Sequence, residues 1–137
     1  MILATPDEFE PYLFIDSKSG SYYSKYENFI LQSVFQPIVD IQNQVIGYEA
    51  LLRIFDHKMT SIRPDLFFKS KTHSLEDILN IERLSRIIHI RNFSTFASGH
   101  CQLFLNVLPE SAIHFHQHKL KNINISLLEA RIKQLGL

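Results

Sequence analysis

The stretch VFQPIVDIQNQVIGYEALL, from Val34 to Leu52, decides the fold of this chain. It contains two apolar runs rich in β-branched residues, 34–41 and 45–52, with only three polar residues between them. A connection this short joins neighbouring antiparallel strands, so the stretch predicts a β-hairpin. Pro37 cannot donate a backbone hydrogen bond to a strand ladder, and we expect it at a sheet edge or a bulge.

The sequence that follows the hairpin alternates between helical and strand patterns. Pro64 opens a predicted short helix over residues 65–71, and a capping-box-like start precedes a longer amphipathic helix from Ser74 to Phe96. The run QLFLNVL at 102–108 predicts a third strand. It is apolar on both faces apart from Asn106, as a buried parallel strand would be.

Shorter patterns lie towards the two ends of the chain. The aromatic run at 9–15 predicts a short strand, and 25–32 predicts a short helix. Residues 111–118 and 126–135 predict two further helices, the second with apolar residues at helical spacing. We expect residues 1–28 to form a lead-in segment to the domain that follows.

Composition limits the class of protein. The chain has 137 residues, of which 45% are apolar and 20% charged, as in a soluble globular domain with one modest core. Its 14 basic residues balance 14 acidic ones, which argues against a nucleic-acid binder, because such proteins carry a basic excess. We expect a cytoplasmic protein, since Cys101 is its single cysteine and no apolar stretch is long enough to cross a membrane.

Two polar residues stand inside the apolar strand patterns, Glu49 in the second run of the hairpin and Asn106 in the third strand. A buried carboxylate or amide is costly unless it is paired, hydrogen-bonded or bound to a metal. Two interpretations stay open. In one, Glu49 pairs with Arg53 and Asn106 bonds to the backbone; in the other, Glu49 and Asn106 end neighbouring strands and hold one divalent cation.

Two more polar side chains on the hairpin suit a nucleotide ligand. The planar guanidinium of Arg53, four residues after Glu49, can bind a phosphate through two hydrogen bonds, or it is a solvated charge at a strand end. Gln36 can bind a base edge or pair with the backbone. Residue type and spacing leave both alternatives open.

Three segments in a fixed order resemble the signatures of EAL domains: Phe35-Gln-Pro-Ile-Val-Asp40, Tyr48-Glu-Ala-Leu-Leu-Arg53 and Leu105-Asn-Val-Leu-Pro109. The Glu-Ala-Leu triplet at 49–51 gives that family its name. The triplet alone is a weak signal, and the neighbouring motifs make the combination specific. The resemblance covers residues 29–137, which correspond to the amino-terminal half of such a domain.

The resemblance implies an α/β fold, namely part of a TIM-like (β/α) barrel whose first strand runs antiparallel. It also implies metal-dependent hydrolysis of cyclic di-GMP to a linear dinucleotide, with Mg²⁺ or Mn²⁺ as cofactor. Glu49 and Asn106 match metal ligands, and Glu49 is thereby the candidate catalytic residue. Arg53 matches a residue that touches a substrate phosphate, and Gln36 matches one that lines the substrate pocket.

The sequence departs from the family pattern in places. Ile54 stands where the family often has Trp, Ser70-Lys71 replaces a usual acidic residue, and Leu108 replaces a usual Ser. A complete barrel has eight strands, of which only about three can be placed here. We therefore expect the complete parent domain to hydrolyse cyclic di-GMP and this chain alone to be inactive. The alternatives are a degenerate module that acts through cyclic di-GMP binding or a protein partner, and a homo-oligomer formed through uncovered sheet.

Overall fold

A six-stranded sheet with one long helix against it dominates the computed structural model, which describes residues 1–96 and 101–106. The strands are β1 (Leu13–Ile15), β2 (Tyr22–Tyr26), β3 (Phe29–Val39), β4 (Val45–Phe55), β5 (Ser61–Ile62) and β6 (Gln102–Phe104). The helices are α1 (Pro6–Phe9), α2 (Pro64–Lys69) and α3 (Leu75–Phe96), and a 3-10 turn spans Glu10–Tyr12. The fold is therefore mixed α and β.

The strands form one open sheet. Neighbours run antiparallel in the order β1-β2-β3-β4-β5, and β6 joins β4 in parallel. Within the two described ranges the sheet is mostly antiparallel and does not close into a barrel.

The hairpin predicted for 34–52 is confirmed and is longer than expected. β3 pairs with β4 over almost its whole length, and the register shifts between Ile38 and Val39, next to Pro37. Only residues 29–31 of β3 also pair with β2, so Pro37 meets a single neighbouring strand. The proline therefore interrupts no second ladder, as expected for an edge or bulge position.

Side chains alternate between the two faces of the sheet. Leu31 and Ile54 are paired across β3 and β4, and both are fully buried in a cluster with Ile81, Leu84 and Ile88 of α3. We call this α3 side the inner face. Residues next to Leu31 and Ile54 along each strand point to the opposite, outer face. The outer face of the hairpin comprises Ile30, Gln32, Val34, Gln36 and Ile38 of β3 and Gly47, Glu49, Leu51, Arg53 and Phe55 of β4.

The two helices predicted after the hairpin are confirmed. The prediction for 65–71 corresponds to α2, and the one from Ser74 to Phe96 corresponds to α3. Oγ of Ser74 accepts a hydrogen bond of 3.1 Å from the backbone N–H of Asp77, as a capping residue does. Every residue from 78 to 93 is buried or half-buried, so α3 is covered nearly all round rather than along one stripe.

Two predictions near the amino terminus are wrong or too long. Residues 25–32 form no helix; they comprise the end of β2, a turn at 27–28 and the start of β3. Tyr26 of β2 and Leu31 of β3 are both buried in the inner core. The strand predicted at 9–15 is restricted to Leu13–Ile15, since its first residues belong to α1 and the 3-10 turn.

The third strand is parallel to β4 as predicted, but it is short and alternates in burial. Within β6, Leu103 is buried on the inner face, whereas its two neighbours are exposed. The expectation of burial on both faces is therefore wrong. Residues 107–108 of the predicted strand, and the predicted helices at 111–118 and 126–135, lie outside the described residues.

The lead-in segment, residues 1–28, packs into the same core as the hairpin. Its Leu3 is buried, and the Leu3 backbone N–H donates to Oδ1 of Asn80 on α3 at 2.7 Å. Asn92 of α3 accepts from the backbone N–H of Tyr22 at 2.6 Å and donates to the Tyr22 carbonyl at 2.9 Å. Two buried asparagines thus attach this segment to the long helix.

Three turns between strands are stabilised in the same way, by an aspartate side chain that accepts backbone hydrogen bonds. Asp16, Asp40 and Asp56 each accept two backbone N–H bonds of their own turn through Oδ1, at 2.7 to 3.1 Å. These hydrogen bonds lower the pKa of the Asp16 and Asp56 carboxyls, because they stabilise the charged form. The aspartates therefore fix the turns that set the strand register.

Each of these turns also contains one residue in the left-handed backbone region, and in the third turn it is Met59, with φ 62°. That conformation costs a residue with a side chain about 1 kcal/mol, and glycine adopts it freely. We expect Met59→Gly to raise the free energy of unfolding by roughly 1 kcal/mol in urea denaturation. Lys58→Gly is the matched control, since Lys58 has no positive φ and should lose stability. An equal loss of unfolding free energy in both variants would show that the backbone at Met59 is not strained.

Candidate functional site

Gln36, Glu49 and Arg53 all lie on the outer face of the hairpin. Gln36 is directly opposite Glu49 in the β3–β4 register, so their Cβ atoms are about 5 Å apart. Arg53 lies opposite Gln32, four residues along β4 from Glu49, which separates the two Cα atoms by roughly 13 Å. The three predicted residues therefore share one face, and Arg53 stands apart from the other two.

Strand β6 brings the fourth predicted residue, Asn106, to Glu49. Phe104 of β6 is paired with Glu49, and Asn106 follows two residues later. Nδ2 of Asn106 donates a long hydrogen bond of 3.3 Å to Oε1 of Glu49. Two residues that are 57 positions apart in the sequence thus meet on the sheet.

The burial expected of these two residues is not found. Glu49 is half-buried and Asn106 is exposed, because the outer face of the sheet is open to solvent beside them. The alternative expectation, a salt bridge from Glu49 to Arg53, is also wrong. None of the ion pairs within the described ranges joins them, since four residues along one strand is too far for a direct contact.

A cavity of about 420 Å³ lies beside the stretch of β4 between its pairings with β6 and β5. Arg53 and Asn106 line it, whereas Gln36 and Glu49 do not. The other polar or ring-bearing lining residues come from α2 and α3, and they are Pro64, Asp65, Phe68, Glu82, Ser85 and His89. The cavity is therefore at the carboxyl ends of the parallel strands β4 and β6, the edge where open α/β sheets bind ligands.

Gly47 makes the approach of β6 to β4 possible. A Cβ atom at this position would lie 2.7 Å from the carbonyl oxygen of Gln102 and 2.9 Å from Cε2 of Phe104. Contacts this short are not tolerated between a side chain and backbone. The glycine two residues before Glu49 therefore helps to place Asn106, a role that the sequence analysis missed.

We expect Gly47→Ala to push β6 away from β4 and to lower the free energy of unfolding by about 1–3 kcal/mol in urea denaturation. Ile46→Ala is the control, because Ile46 is the adjacent residue and is 44% exposed, so its truncation should cost less. A Gly47→Ala protein as stable as the unmodified chain would show that β6 does not pack here.

The inner face holds a polar network that the sequence analysis also missed. Oγ of Ser33 lies 2.7 Å from Nδ1 of His89 and accepts a hydrogen bond of 3.1 Å from Nδ2 of Asn92. Burial lowers the pKa of His89 to about 4, so its ring is neutral at pH 7. These groups satisfy one another, and the network attaches α3 to the sheet. Its only mark in the sequence is the helical spacing of His89 and Asn92 within apolar residues.

The depressed pKa of His89 predicts a pH dependence of folding. The unfolded chain has an ordinary histidine pKa of 6.5, so it binds a proton below that pH while the folded chain does not until about pH 4. The stability that neutral His89 provides is complete above pH 6.5 and is lost as the pH falls through about 4. We expect a loss of about 3 kcal/mol across this window in urea denaturation.

To test this pH dependence, the same substitution is made separately at two histidines. His89→Gln removes the titrating group and should flatten the profile between pH 6.5 and about 4. His57→Gln replaces an exposed histidine and should leave the profile unchanged. Profiles that flatten equally, or not at all, would contradict the assignment to His89.

Glu49 and Asn106 offer oxygen donors of the kind that Mg²⁺ and Mn²⁺ prefer. Their number falls short, because residues 1–96 and 101–106 contain no group of three or more His, Cys, Asp or Glu side chains placed to hold a metal. Metal centres commonly use at least three protein ligands. These two residues therefore do not form a complete metal site, and no catalytic step through a metal follows from them.

Comparison of the chain with protein-family models, with curated proteins and with solved structures finds no match. Among the helices of the described part of the chain, none combines the length and the apolar character of a membrane span. The chemistry assigned to this site therefore rests on its own residues: one carboxylate, two amides and one guanidinium on the outer face and its adjoining cavity.

Proposed function

We propose that residues 29–137 carry the amino-terminal half of an EAL-type domain, which in complete form hydrolyses cyclic di-GMP to a linear dinucleotide with Mg²⁺ or Mn²⁺. The ordered signatures around Gln36, Glu49 and Asn106 support the proposal. The strand arrangement supports it as well, since an antiparallel hairpin followed by a helix and a parallel strand suits the start of a TIM-like barrel with an antiparallel first strand.

The observation that carries the proposal is the contact between Glu49 and Asn106. Each comes from a different signature, and the parallel pairing of β6 with β4 places their side-chain atoms 3.3 Å apart. A resemblance produced by chance would not be expected to bring the two candidate ligands onto one face of one sheet. The proposal thus assigns Glu49 and Asn106 to the metal-facing part of the domain.

Arg53 and Gln36 are the proposed ligand contacts of this chain. Arg53 is exposed, lines the cavity next to β4 and makes no ion pair within the described ranges, so its guanidinium is available to a phosphate group. Gln36 lies across from Glu49 and offers an amide to a base edge. We therefore expect this chain to bind cyclic di-GMP weakly without hydrolysing it.

The departure at Ile54 bears on the rival proposal of a degenerate module. Ile54 is fully buried in the inner core with Leu31 and Ile88, on the side of the sheet opposite to Glu49 and Arg53. Its change from the family's Trp therefore does not alter the ligand-facing residues. Binding without catalysis, to cyclic di-GMP or to a protein partner, stays the alternative function.

Isothermal titration of the full 137-residue chain with cyclic di-GMP and Mn²⁺ tests the proposal. We expect Arg53→Ala to weaken binding by about 10-fold, because it removes a charge-assisted contact to phosphate. Arg91→Ala is the matched control, since Arg91 pairs with Glu10 away from the cavity. Absence of binding, or an equal effect of the two variants, would contradict the assigned site.

A separate incubation with chromatographic detection of the linear dinucleotide addresses catalysis. We expect no product from this chain, because the described residues supply two of the metal ligands that hydrolysis requires. Product formation that Glu49→Ala abolishes would overturn the expectation of inactivity and leave the family assignment standing.

A further inference from the structure

The outer face of the sheet exposes apolar side chains on three neighbouring strands. Val34 of β3 is 39% exposed and Phe104 of β6 is 43% exposed, and Leu51 on the strand between them is half-buried. Apolar patches of this kind, bordered by charged residues, mark interaction surfaces in soluble proteins. The charged border here consists of Glu49 and Arg53.

The residues of β3 on this face read the same from either end. In chain order they are Ile30, Gln32, Val34, Gln36 and Ile38. A half-turn about an axis that passes above Val34, parallel to the face and perpendicular to the strand, exchanges the two glutamines and the two isoleucines. A second copy placed by this operation therefore opposes amide to amide and apolar side chain to apolar side chain.

The residues of β4 on this face are complementary under the same half-turn. Leu51 lies opposite Val34 in the register, and Glu49 and Arg53 are placed symmetrically on either side of Leu51. The half-turn sets Glu49 of the first copy over Arg53 of the second, and Arg53 of the first copy over Glu49 of the second. The two ends of the β4 set also meet. Phe55 of one copy comes over Gly47 of the other, and the ring of Phe104 lies beside that glycine.

We infer that the outer face binds a second copy of this chain, with the two sheets packed face to face about a twofold axis that lies between them and passes over Val34 and Leu51. Such an interface is self-complementary, as an isologous dimer requires. Two reciprocal Glu49–Arg53 pairs flank an apolar centre, and packed sheets about 10 Å apart leave room for Val, Leu and Ile side chains between them. The charge pattern selects a second copy over another apolar partner, because an unrelated surface would leave both charges unpaired.

This inference does not rest on the proposed function. The dimer occupies Gln36, Glu49 and Arg53, so dimer formation and cyclic di-GMP binding at this face exclude each other. Sedimentation measured without ligand tests the dimer alone, and ligand titration at protein concentrations below the dimer dissociation constant tests ligand binding alone. A negative result in one experiment therefore does not affect the interpretation of the other.

Sedimentation equilibrium over a range of concentrations is the experiment. The unmodified chain should approach about twice its 16.0 kDa monomer mass. Glu49→Arg and Arg53→Glu each bring like charges together across the axis and should raise the dissociation constant by at least ~10-fold. The double exchange Glu49→Arg with Arg53→Glu restores opposite charges and should return it to within ~3-fold of the original.

Arg63→Glu is the matched control, because Arg63 pairs with Asp65 at the exposed start of α2 and lies off the outer face. A mass of 16.0 kDa at every concentration for the unmodified chain would overturn the dimer. A double exchange as weak as the single variants would overturn this register.

A second measurement serves if a charge variant fails to fold. In a Cys101→Ser background, Val34→Cys should be joined into covalent dimers by a short bismaleimide, because position 34 lies at the axis. Lys58→Cys in the β4–β5 turn should give none. Equal cross-linking of both would overturn the proposal.

Discussion

The antiparallel pairing of β3 with β4 is the constraint on which the rest of the structure depends. Because side chains alternate along a strand, one register decides which residues enter the core and which remain outside. It buries Leu31 and Ile54 against α3 and sets Gln36 and Glu49 side by side on the outer face. A slip by one residue would exchange the two sets and place the carboxylate in the core.

Strand β6 depends on that hairpin in turn. It adds to β4 in parallel, and Gly47 supplies the space that its backbone needs. The pairing brings Asn106 to Glu49 and opens the cavity that Arg53 lines. The candidate site is thus a product of strand order, since no two of its residues except Glu49 and Arg53 are near in sequence.

Much of this fold follows from local sequence pattern. The short polar connection predicted the hairpin, and the spacing of apolar residues from Ser74 to Phe96 predicted α3, because both signals act over a few residues. The helix predicted at 25–32 was wrong because strand pairing with the lead-in overrides local preference there.

The site itself was only partly predictable. The residue types of Gln36, Glu49, Arg53 and Asn106 marked them as candidates. Their common face depends on the registers of β3 and β6 with β4, which the sequence analysis did not predict. Their exposure did not follow, because an apolar strand pattern does not show whether the second face of a sheet is covered. The network of Ser33, His89 and Asn92 was missed for a related reason, since it joins a strand to a helix far along the chain.

Parallel pairing of β4 with β6 is the central claim, because the contact between Glu49 and Asn106 depends on it. Nuclear Overhauser contacts between the backbone protons of Tyr48 and Leu103 in the labelled chain test it most directly. The account predicts contacts in the staggered pattern of a parallel ladder, continuing from Gly47–Gln102 to Glu49–Phe104. An antiparallel pattern, or no contact between these strands, would contradict it and would separate Asn106 from Glu49.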